Sequence, residues 1–203
     1  DWQSLMDVCD IFINTPQSEH GYSTVIFESV TGFEKFCWRH CCHEDFDDNW
    51  SKKGDGFMNY FAGPRLAAKK YWPMLIDKWE AIRNTGVHVI VTGHTHIKPT
   101  ENLGGDNYNS EQCYCDKETW NAMHLAFESI LMLTMEVPTE TKGLKTKAVG
   151  EGHRYIRCDK NPYYDAKNRY GIQYPIECGL TPESTYLAFC KAAGLDPETL
   201  YFK

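Results

Sequence analysis

The stretch GVHVIVTGHTHIKP, from Gly86 to Pro99, decides the fold. Four of the five residues from Val87 to Val91 are β-branched, and the run lies between a glycine and a polar segment. A short apolar run with turn signals at both ends is typical of a strand buried on both faces of a parallel sheet. Ligands of such sheets bind beyond the carboxyl ends of the strands. Residues 92–98 are therefore the first place where we expect a functional site.

A second apolar strand, TVIF at 24–27, runs directly into Glu28 and Ser29. The apolar periodicity along the rest of the chain predicts alternating helices and strands. The predicted helices cover residues 3–14, 33–43, 64–84, 116–127 and 182–193. The predicted strands are 24–27, 87–91, a third buried strand at 130–137 and an edge strand at 153–158, with a flexible loop or hairpin turn at 139–152. This order predicts an α/β fold with a mainly parallel sheet flanked by helices and antiparallel strands toward the C-terminus.

Composition limits the classes of function. The 203 residues are 42% hydrophobic and 14% aromatic, which predicts a packed core rather than disorder. The formal net charge of −7 excludes a generally basic surface, so any nucleic-acid contact needs a local patch. The sequence contains no run of about 18 apolar residues, so it predicts no membrane span. Nine cysteines, an odd number without disulfide-scaffold spacing, indicate reduced thiols in a cytosolic compartment.

Two stretches carry candidate chemistry for a nucleotide. An acid at the end of an apolar strand, here Glu28, can hold Mg²⁺ through water, as in P-loop nucleotide hydrolases, or can cap the next turn. Lys167 and Arg169 lie two residues apart in a predicted extended loop, so their side chains point the same way. Such a cationic pair suits the phosphates of a nucleotide held by a neighbouring subunit or a nucleic-acid backbone, or forms a solvated basic turn.

The GHTH sequence at 93–96 offers a different class of function. It resembles the last motif of calcineurin-like metallophosphoesterases, in which two histidines after a strand help to bind two metal ions. That chemistry requires further carboxylates and histidines. The Asp-x-His and Gly-Asn-His motifs of that family do not occur upstream of residue 93. A metal-dependent phosphoesterase using His94 and His96 is therefore the alternative enzyme class.

Four stretches in order, at 28–34, 60–64, 89–98 and 166–171, resemble the phage-type AAA/RecA-like ATP-binding proteins associated with recombination and single-strand annealing. The run KNRYG at 167–171 is similar to the Lys-Asn-Arg-Phe-Gly motif of RadA-type ATPases. The resemblance covers nearly the whole chain. It implies a single RecA-like ATPase core over residues 1–203, bound ATP and Mg²⁺, single-stranded DNA as a partner, and self-association into a ring or filament. It also implies a cytoplasmic location in a bacterial or phage-infected host cell.

The resemblance assigns roles to individual residues. Glu28 falls at the acid that holds Mg²⁺, where the family usually carries Asp. His94 falls at the γ-phosphate sensor, and Lys167 and Arg169 at fingers that complete the site of the next protomer. Ser29, Lys98 and Asn168 are implied as nucleotide-binding residues.

The chain departs from the family at the phosphate loop, because no Gly-x-x-x-x-Gly-Lys-Ser/Thr occurs in it. That loop supplies the backbone nest for the β- and γ-phosphates. We expect that the chain is truncated at its N-terminus and does not hydrolyse ATP alone, although a DNA-dependent ATPase is expected if the full protein carries the loop. The other reading is a non-catalytic binding or assembly protein on the same fold.

Overall fold

A computed structural model describes residues 1–143, 145–150, 152–159 and 161–197. The chain forms two compact units. The first comprises Asp1–His96 and Cys113–Ala126, and the second comprises the described residues of Ile97–Gln112 and Phe127–Lys203. The single core expected over residues 1–203 stays a prediction.

The first unit is mainly helical. Its elements in chain order are α1 (Trp2–Asn14), α2 (Gln17–His20), β1 (Thr24–Phe27), α3 (Val30–Phe46), a 3₁₀ turn (Asn59–Phe61), α4 (Ala62–Lys70), α5 (Trp72–Asn84), β2 (His88–Val91) and α6 (Lys117–Ala126). Helix α1 packs against α3 and α5. Trp72 lies at the centre of this core, with its ring 6.1 Å from that of Trp2 and 6.3 Å from that of Trp79.

Strands β1 and β2 form a parallel pair in which Phe27 lies opposite Val91 and Ile26 opposite Ile90. Phe27 is buried against the rings of Phe33 and Trp79. On the other face, Ile26 is 61% exposed and Ile90 48% exposed. The predicted burial of the strand at 87–91 on both faces is therefore wrong. Apolar sequence identifies the strands, but burial of a second face requires another layer, which the described part of the chain does not place over these two isoleucines.

The helix predicted over residues 64–84 is two helices, α4 and α5, which meet at Tyr71. Pro73 lies in the first turn of α5. Proline has no N–H to continue the hydrogen-bond ladder and its ring disfavours the preceding helical turn, so the helix is interrupted here. The apolar stripe of the prediction persists, since Leu75, Trp79 and Ile82 are buried.

Two strands span the boundary between the units: β3 (Thr95–Thr100) pairs with β4 (Tyr108–Cys113). The second unit contains β5 (Met132–Glu136), β6 (Thr139–Lys142), β7 (Lys145–Ala148), β8 (His153–Arg157), β9 (Ile176–Glu177) and α7 (Pro182–Ala193). Strands β5, β8 and β9 form an antiparallel sheet, and β6 and β7 form a separate hairpin. The core of this unit consists of Ile156, Cys158, Ile172 and Ile176, against which Phe189 of α7 packs.

For two strands of this unit, the predicted environment is wrong. Strand β8 lies between β5 and β9 and is not an edge strand. Its alternating sequence indicates only that one face is covered. Edge and central strands share that pattern, so it does not tell them apart. In β5 only Met132 is buried, whereas Leu133 is 75% exposed, so the third strand is not buried as predicted. Of the two alternatives for residues 139–152, the hairpin is confirmed by the pairing of β6 with β7. Leu144 and Glu151 lie outside the described residues.

The α/β fold class is confirmed, with a parallel strand pair flanked by helices and antiparallel strands toward the C-terminus. Among the described residues, no helix is long and apolar enough to cross a membrane.

Candidate functional site

The carboxyl ends of β1 and β2 are tied together by backbone hydrogen bonds. The Thr92 N–H donates to the Phe27 carbonyl at 3.0 Å, and the Val30 N–H donates to the Thr92 carbonyl at 2.8 Å. Each bond lies one step beyond the last register pair of the ladder, Phe27 and Val91. Glu28, Ser29 and Thr92 are therefore held at one edge of the parallel pair, where ligands of such sheets bind.

Three residues with side-chain oxygens lie at this edge. The Glu28 side chain is exposed, and Ser29 is a half-buried N-cap of α3 whose side chain makes no capping hydrogen bond. The Thr92 hydroxyl oxygen is buried without a hydrogen-bond partner in the described structure. Carboxylate and hydroxyl oxygens, with water, are the ligands that Mg²⁺ prefers. The N-terminus of the 17-residue helix α3 adds backbone N–H groups that favour an anion.

His94 lies on the exposed segment after β2. A hydrogen bond to its backbone holds it in place. Its carbonyl accepts a hydrogen bond from the Tyr114 N–H at 2.7 Å, and the Thr31 hydroxyl donates to the Tyr114 carbonyl at 3.1 Å. The ring of His96 lies 5.0 Å from the Tyr114 ring. Tyr114 therefore links the His94 segment to the first turn of α3.

Glu34 anchors the same segment one turn further along α3. It is buried, and its Oε1 accepts a hydrogen bond from the Asp116 N–H at 2.8 Å. Burial raises the pKa of this carboxyl, while the hydrogen bonds from Asp116 and Thr119 act in the opposite direction. The residues 113–116 are thus fastened to α3 at both ends, by Thr31 and by Glu34.

The cysteines are free thiols, as predicted. Six of the nine are buried, and burial raises the pKa of Cys9 to about 11 and that of Cys41 to about 12. A thiol that stays protonated is a poor nucleophile and metal ligand. These cysteines are packing residues.

Lys167 and Arg169 lie in the second unit. The backbone of Lys167 exchanges two hydrogen bonds with Ile130, at 2.8 and 3.0 Å, which fixes the start of the loop. Burial lowers the pKa of the half-buried Lys167, and the neighbouring charge of Arg169 lowers it further. The Arg169 side chain is 66% exposed, with Nη1 3.9 Å from Oε1 of Glu128.

Asn168 holds this loop together. Its amide nitrogen donates to the carbonyls of Cys158 and Ile172, at 2.7 and 2.9 Å. Its carbonyl oxygen accepts from the N–H groups of Tyr170 and Ile172, both at 3.0 Å. An asparagine side chain has two donor hydrogens and two acceptor lone pairs, so these four bonds use its capacity. Asn168 therefore positions the loop, and the direct nucleotide contact that the resemblance implies stays a prediction.

The predicted site residues fall in both units. Glu28, Ser29 and His94 belong to the first, and the structure brings Glu28 and Ser29 to one sheet edge with the His94 segment following β2. Lys98, which is exposed on β3, belongs to the second unit together with Lys167, Asn168 and Arg169. Their roles toward a nucleotide stay predictions.

The sequence-based selection missed Thr92 and Tyr114. Thr92 could have been found, because it is the first polar residue after the β2 run, inside the segment where a site was expected. Tyr114 had no such signal, since its contact with His94 joins residues 20 positions apart in the sequence. Only the fold reveals that pairing.

The alternative of a metal-dependent phosphoesterase loses support. Throughout the described ranges, no group of three or more His, Cys, Asp and Glu side chains is placed to hold a metal ion. The ring of His96 instead packs against the Tyr114 ring in a tilted arrangement. A two-metal centre requires such a group of ligands around His94 and His96.

Comparison with known proteins identifies the family of the chain. A family model described as an AAA domain matches residues 1–170. No match was found among curated proteins or among solved structures. The family match covers most of the 203 residues and includes both strands of the parallel pair and the Lys167–Arg169 loop. The chain therefore belongs to the AAA domain family, which has the fold of nucleotide-binding P-loop ATPases.

Proposed function

We propose that this chain is the nucleotide-binding part of a phage-type, RecA-like ATPase that acts on DNA in recombination or single-strand annealing. The observation that carries the proposal is the edge where β1 and β2 end. There the backbone hydrogen bonds hold Glu28, Ser29 and Thr92 at the N-terminus of α3, and the buried Thr92 hydroxyl has no hydrogen-bond partner in the described structure.

The residues at this edge fit Mg²⁺ bound to a nucleotide. Glu28 would hold the ion through water, and Ser29 and Thr92 would supply hydroxyl oxygens. Bound Mg²⁺ neutralises charge on the phosphate oxygens of ATP. His94 follows Thr92 and would donate a hydrogen bond to the terminal phosphate, with its backbone held by Tyr114. The phosphate cradle itself has no counterpart in the 203 residues, which contain no Gly-x-x-x-x-Gly-Lys-Ser/Thr motif.

Lys167 and Arg169 would act on the nucleotide of an adjacent protomer in a ring or filament. Arg169 is exposed and carries a planar guanidinium suited to phosphate oxygens. The four hydrogen bonds of Asn168 hold the loop that carries both cations. A cation on a fixed loop loses little conformational freedom when it binds phosphate.

Paramagnetic NMR tests the nucleotide site without requiring turnover. Mn²⁺ replaces Mg²⁺ in a complex with ATP, and the amide resonances of the 203-residue chain are followed. We expect broadening of the resonances of Glu28, Ser29 and Thr92, because a metal held at the strand ends lies next to their amides. Glu28→Gln removes the carboxylate charge and should abolish that broadening.

Glu44→Gln is the matched control, since Glu44 is an exposed acid outside the strand ends. It should leave the broadening unchanged. Broadening that persists in Glu28→Gln, or that appears only elsewhere in the chain, would overturn the proposed site.

The role in DNA transactions is tested by annealing. Two complementary oligonucleotides carrying a fluorophore and a quencher are mixed with the chain, Mg²⁺ and ATP. We expect faster quenching than without protein. A rate equal to the protein-free rate contradicts the annealing role and leaves the nucleotide site to its own test.

A further inference from the structure

The hairpin of β6 and β7 carries a feature that the nucleotide site does not use. Its register pairs Thr139 with Ala148, Glu140 with Lys147, Thr141 with Thr146 and Lys142 with Lys145. All side chains described in the hairpin are exposed. The Thr141 and Thr146 hydroxyls lie 3.0 Å apart and form a cross-strand hydrogen bond.

The register sorts the hairpin into two faces, because residues two apart in a strand share a face and cross-strand partners lie side by side. Lys145 and Lys147 lie on one face, with Glu140 beside Lys147. Thr141, Thr146 and Ala148 lie on the opposite face. One face of this ribbon is therefore cationic and the other small and uncharged.

None of the side chains that the structure describes in the hairpin is buried in the core of its unit. A two-stranded hairpin without a covered apolar face is marginally stable in water. Its sequence is therefore not explained by packing, and a binding surface accounts for a cationic face that the core does not require. It also supplies a local basic patch on a chain with a net charge of −7.

We propose that the cationic face of the β6–β7 hairpin binds the phosphate backbone of single-stranded DNA; this inference rests on the proposed action on DNA. A narrow exposed ribbon with two lysines on one face can follow a phosphate backbone, where Lys binds as a point charge without base preference. An acidic protein partner fits less well, because protein interfaces depend on aromatic or other large anchors. A membrane also fits less well, because stable surface binding takes either inserted apolar side chains or a larger cluster of Lys and Arg. The described hairpin offers neither, its one apolar side chain being that of Ala148.

The salt dependence of DNA binding tests the proposal. Fluorescence anisotropy of a labelled oligothymidylate is measured with the full chain over a series of salt concentrations. Each phosphate contact by a lysine contributes a slope of about −0.7 to log K against log salt for single strands. The double variant Lys145→Ala/Lys147→Ala should therefore bind more weakly at low salt and show a slope reduced in magnitude by about 1.4.

The double variant Lys52→Ala/Lys53→Ala is the matched control, because it removes the same charge from an exposed loop of the first unit. Its slope should equal that of the parent. Lys145→Arg/Lys147→Arg keeps both charges and should restore binding. Far-UV circular dichroism checks that the hairpin variant remains folded, which we expect because both replaced side chains are exposed.

Three outcomes would contradict the inference in distinguishable ways. Absence of binding by the parent chain overturns the DNA role together with the hairpin surface. Binding with equal slopes in the parent and the hairpin variant overturns the hairpin surface alone. Binding to phosphatidylserine vesicles that depends on Lys145 and Lys147, without such dependence for DNA, would show that the cationic face serves a membrane.

Discussion

Asp45, at the end of α3, accepts hydrogen bonds from two residues near the junction of α4 and α5. Its carboxylate lies 2.6 Å from Nζ of Lys70 and 2.6 Å from the Tyr71 hydroxyl. The bond from Lys70 is the main cause that lowers the pKa of Asp45, and the bond from Tyr71 adds to it. Replacing Asp45 with Asn removes the charge that both donors face. We expect a lower midpoint of urea denaturation at pH 7 for Asp45→Asn.

The pH dependence of that loss follows from the sign of the pKa shift. A carboxyl with a lower pKa in the folded state stabilises the protein above its ordinary pKa of about 3.9. This stabilisation disappears as the pH falls through the folded-state pKa. The difference between parent and Asp45→Asn should therefore be full at pH 7 and shrink below about pH 4. Asp55→Asn, in an exposed loop, should match the parent throughout.

Asn168 makes four hydrogen bonds that Ala cannot replace. Asn168→Ala leaves the carbonyl of Cys158 and the N–H of Ile172 without their partners. We expect a loss of about 2 kcal/mol in the free energy of unfolding, with faster amide exchange at Tyr170 and Ile172. Gln173→Ala, an exposed amide nearby, should change neither measurement. Unaltered exchange in Asn168→Ala would contradict the assigned positioning role.

At the scale of single residues, the sequence predicted the position of Glu28 better than the contacts of Asn168. Glu28 is exposed at a strand end, as an apolar strand followed by an acid suggests. Asn168 instead bonds to carbonyls 10 residues before it and four residues after it. Those partners depend on how the loop closes, which residue type and local spacing do not encode.

Helix α7 begins with a capping box. The Thr181 hydroxyl accepts from the Ser184 N–H at 3.2 Å, and the Ser184 hydroxyl accepts from the Thr181 N–H at 3.1 Å. Thr181→Ala should destabilise the second unit by about 1 kcal/mol, measured by thermal unfolding. Thr181→Ser retains the accepting hydroxyl and should remain close to the parent. Equal losses in both variants would show that the methyl group, not the cap, carries the effect.

At the scale of elements, local signals located α7 with its observed bounds, since Pro182 and Gly194 mark its two ends. The β-branched run likewise located β2, beginning one residue later than predicted. The environment of a strand was harder to predict. The exposed pair Ile26 and Ile90, and the central position of β8, depend on which elements cover or flank a strand. That information lies in contacts between distant parts of the chain.

At the scale of the whole molecule, the proposed role of Arg169 requires self-association, because a residue that acts on the nucleotide of a neighbouring protomer can do so only in an assembly. Mg²⁺ and ATP should shift the chain to a larger species in sedimentation velocity if Arg169 binds the nucleotide of a neighbouring protomer. Arg169→Ala should abolish that shift while it preserves the binding of a fluorescent ATP analogue, since a finger that acts in trans is not needed for the nucleotide of its own protomer. Arg65→Ala, an exposed arginine on α4, is the control and should behave as the parent.

The partition into two compact units is the feature of the whole molecule least accessible from sequence. Composition and element order predicted an α/β fold, and the structure confirms that class. The divisions at 96/97 and 112/113 pass through β3 and β4, and the third follows the end of α6 at Ala126; none coincides with a linker rich in Gly, Pro or Ser. Boundary prediction relies on such linkers, so nothing in the sequence marks this division.

The placement of the indole rings has an optical consequence. The six tryptophans, at positions 2, 38, 50, 72, 79 and 120, all belong to the first unit. Light absorbed only by indole will therefore excite the first unit alone, and the coupled transitions of Trp2, Trp72 and Trp79 should give it a distinct near-ultraviolet dichroism. One tryptophan placed at Tyr174, an exposed position of the second unit, would give that unit an emission signal of its own.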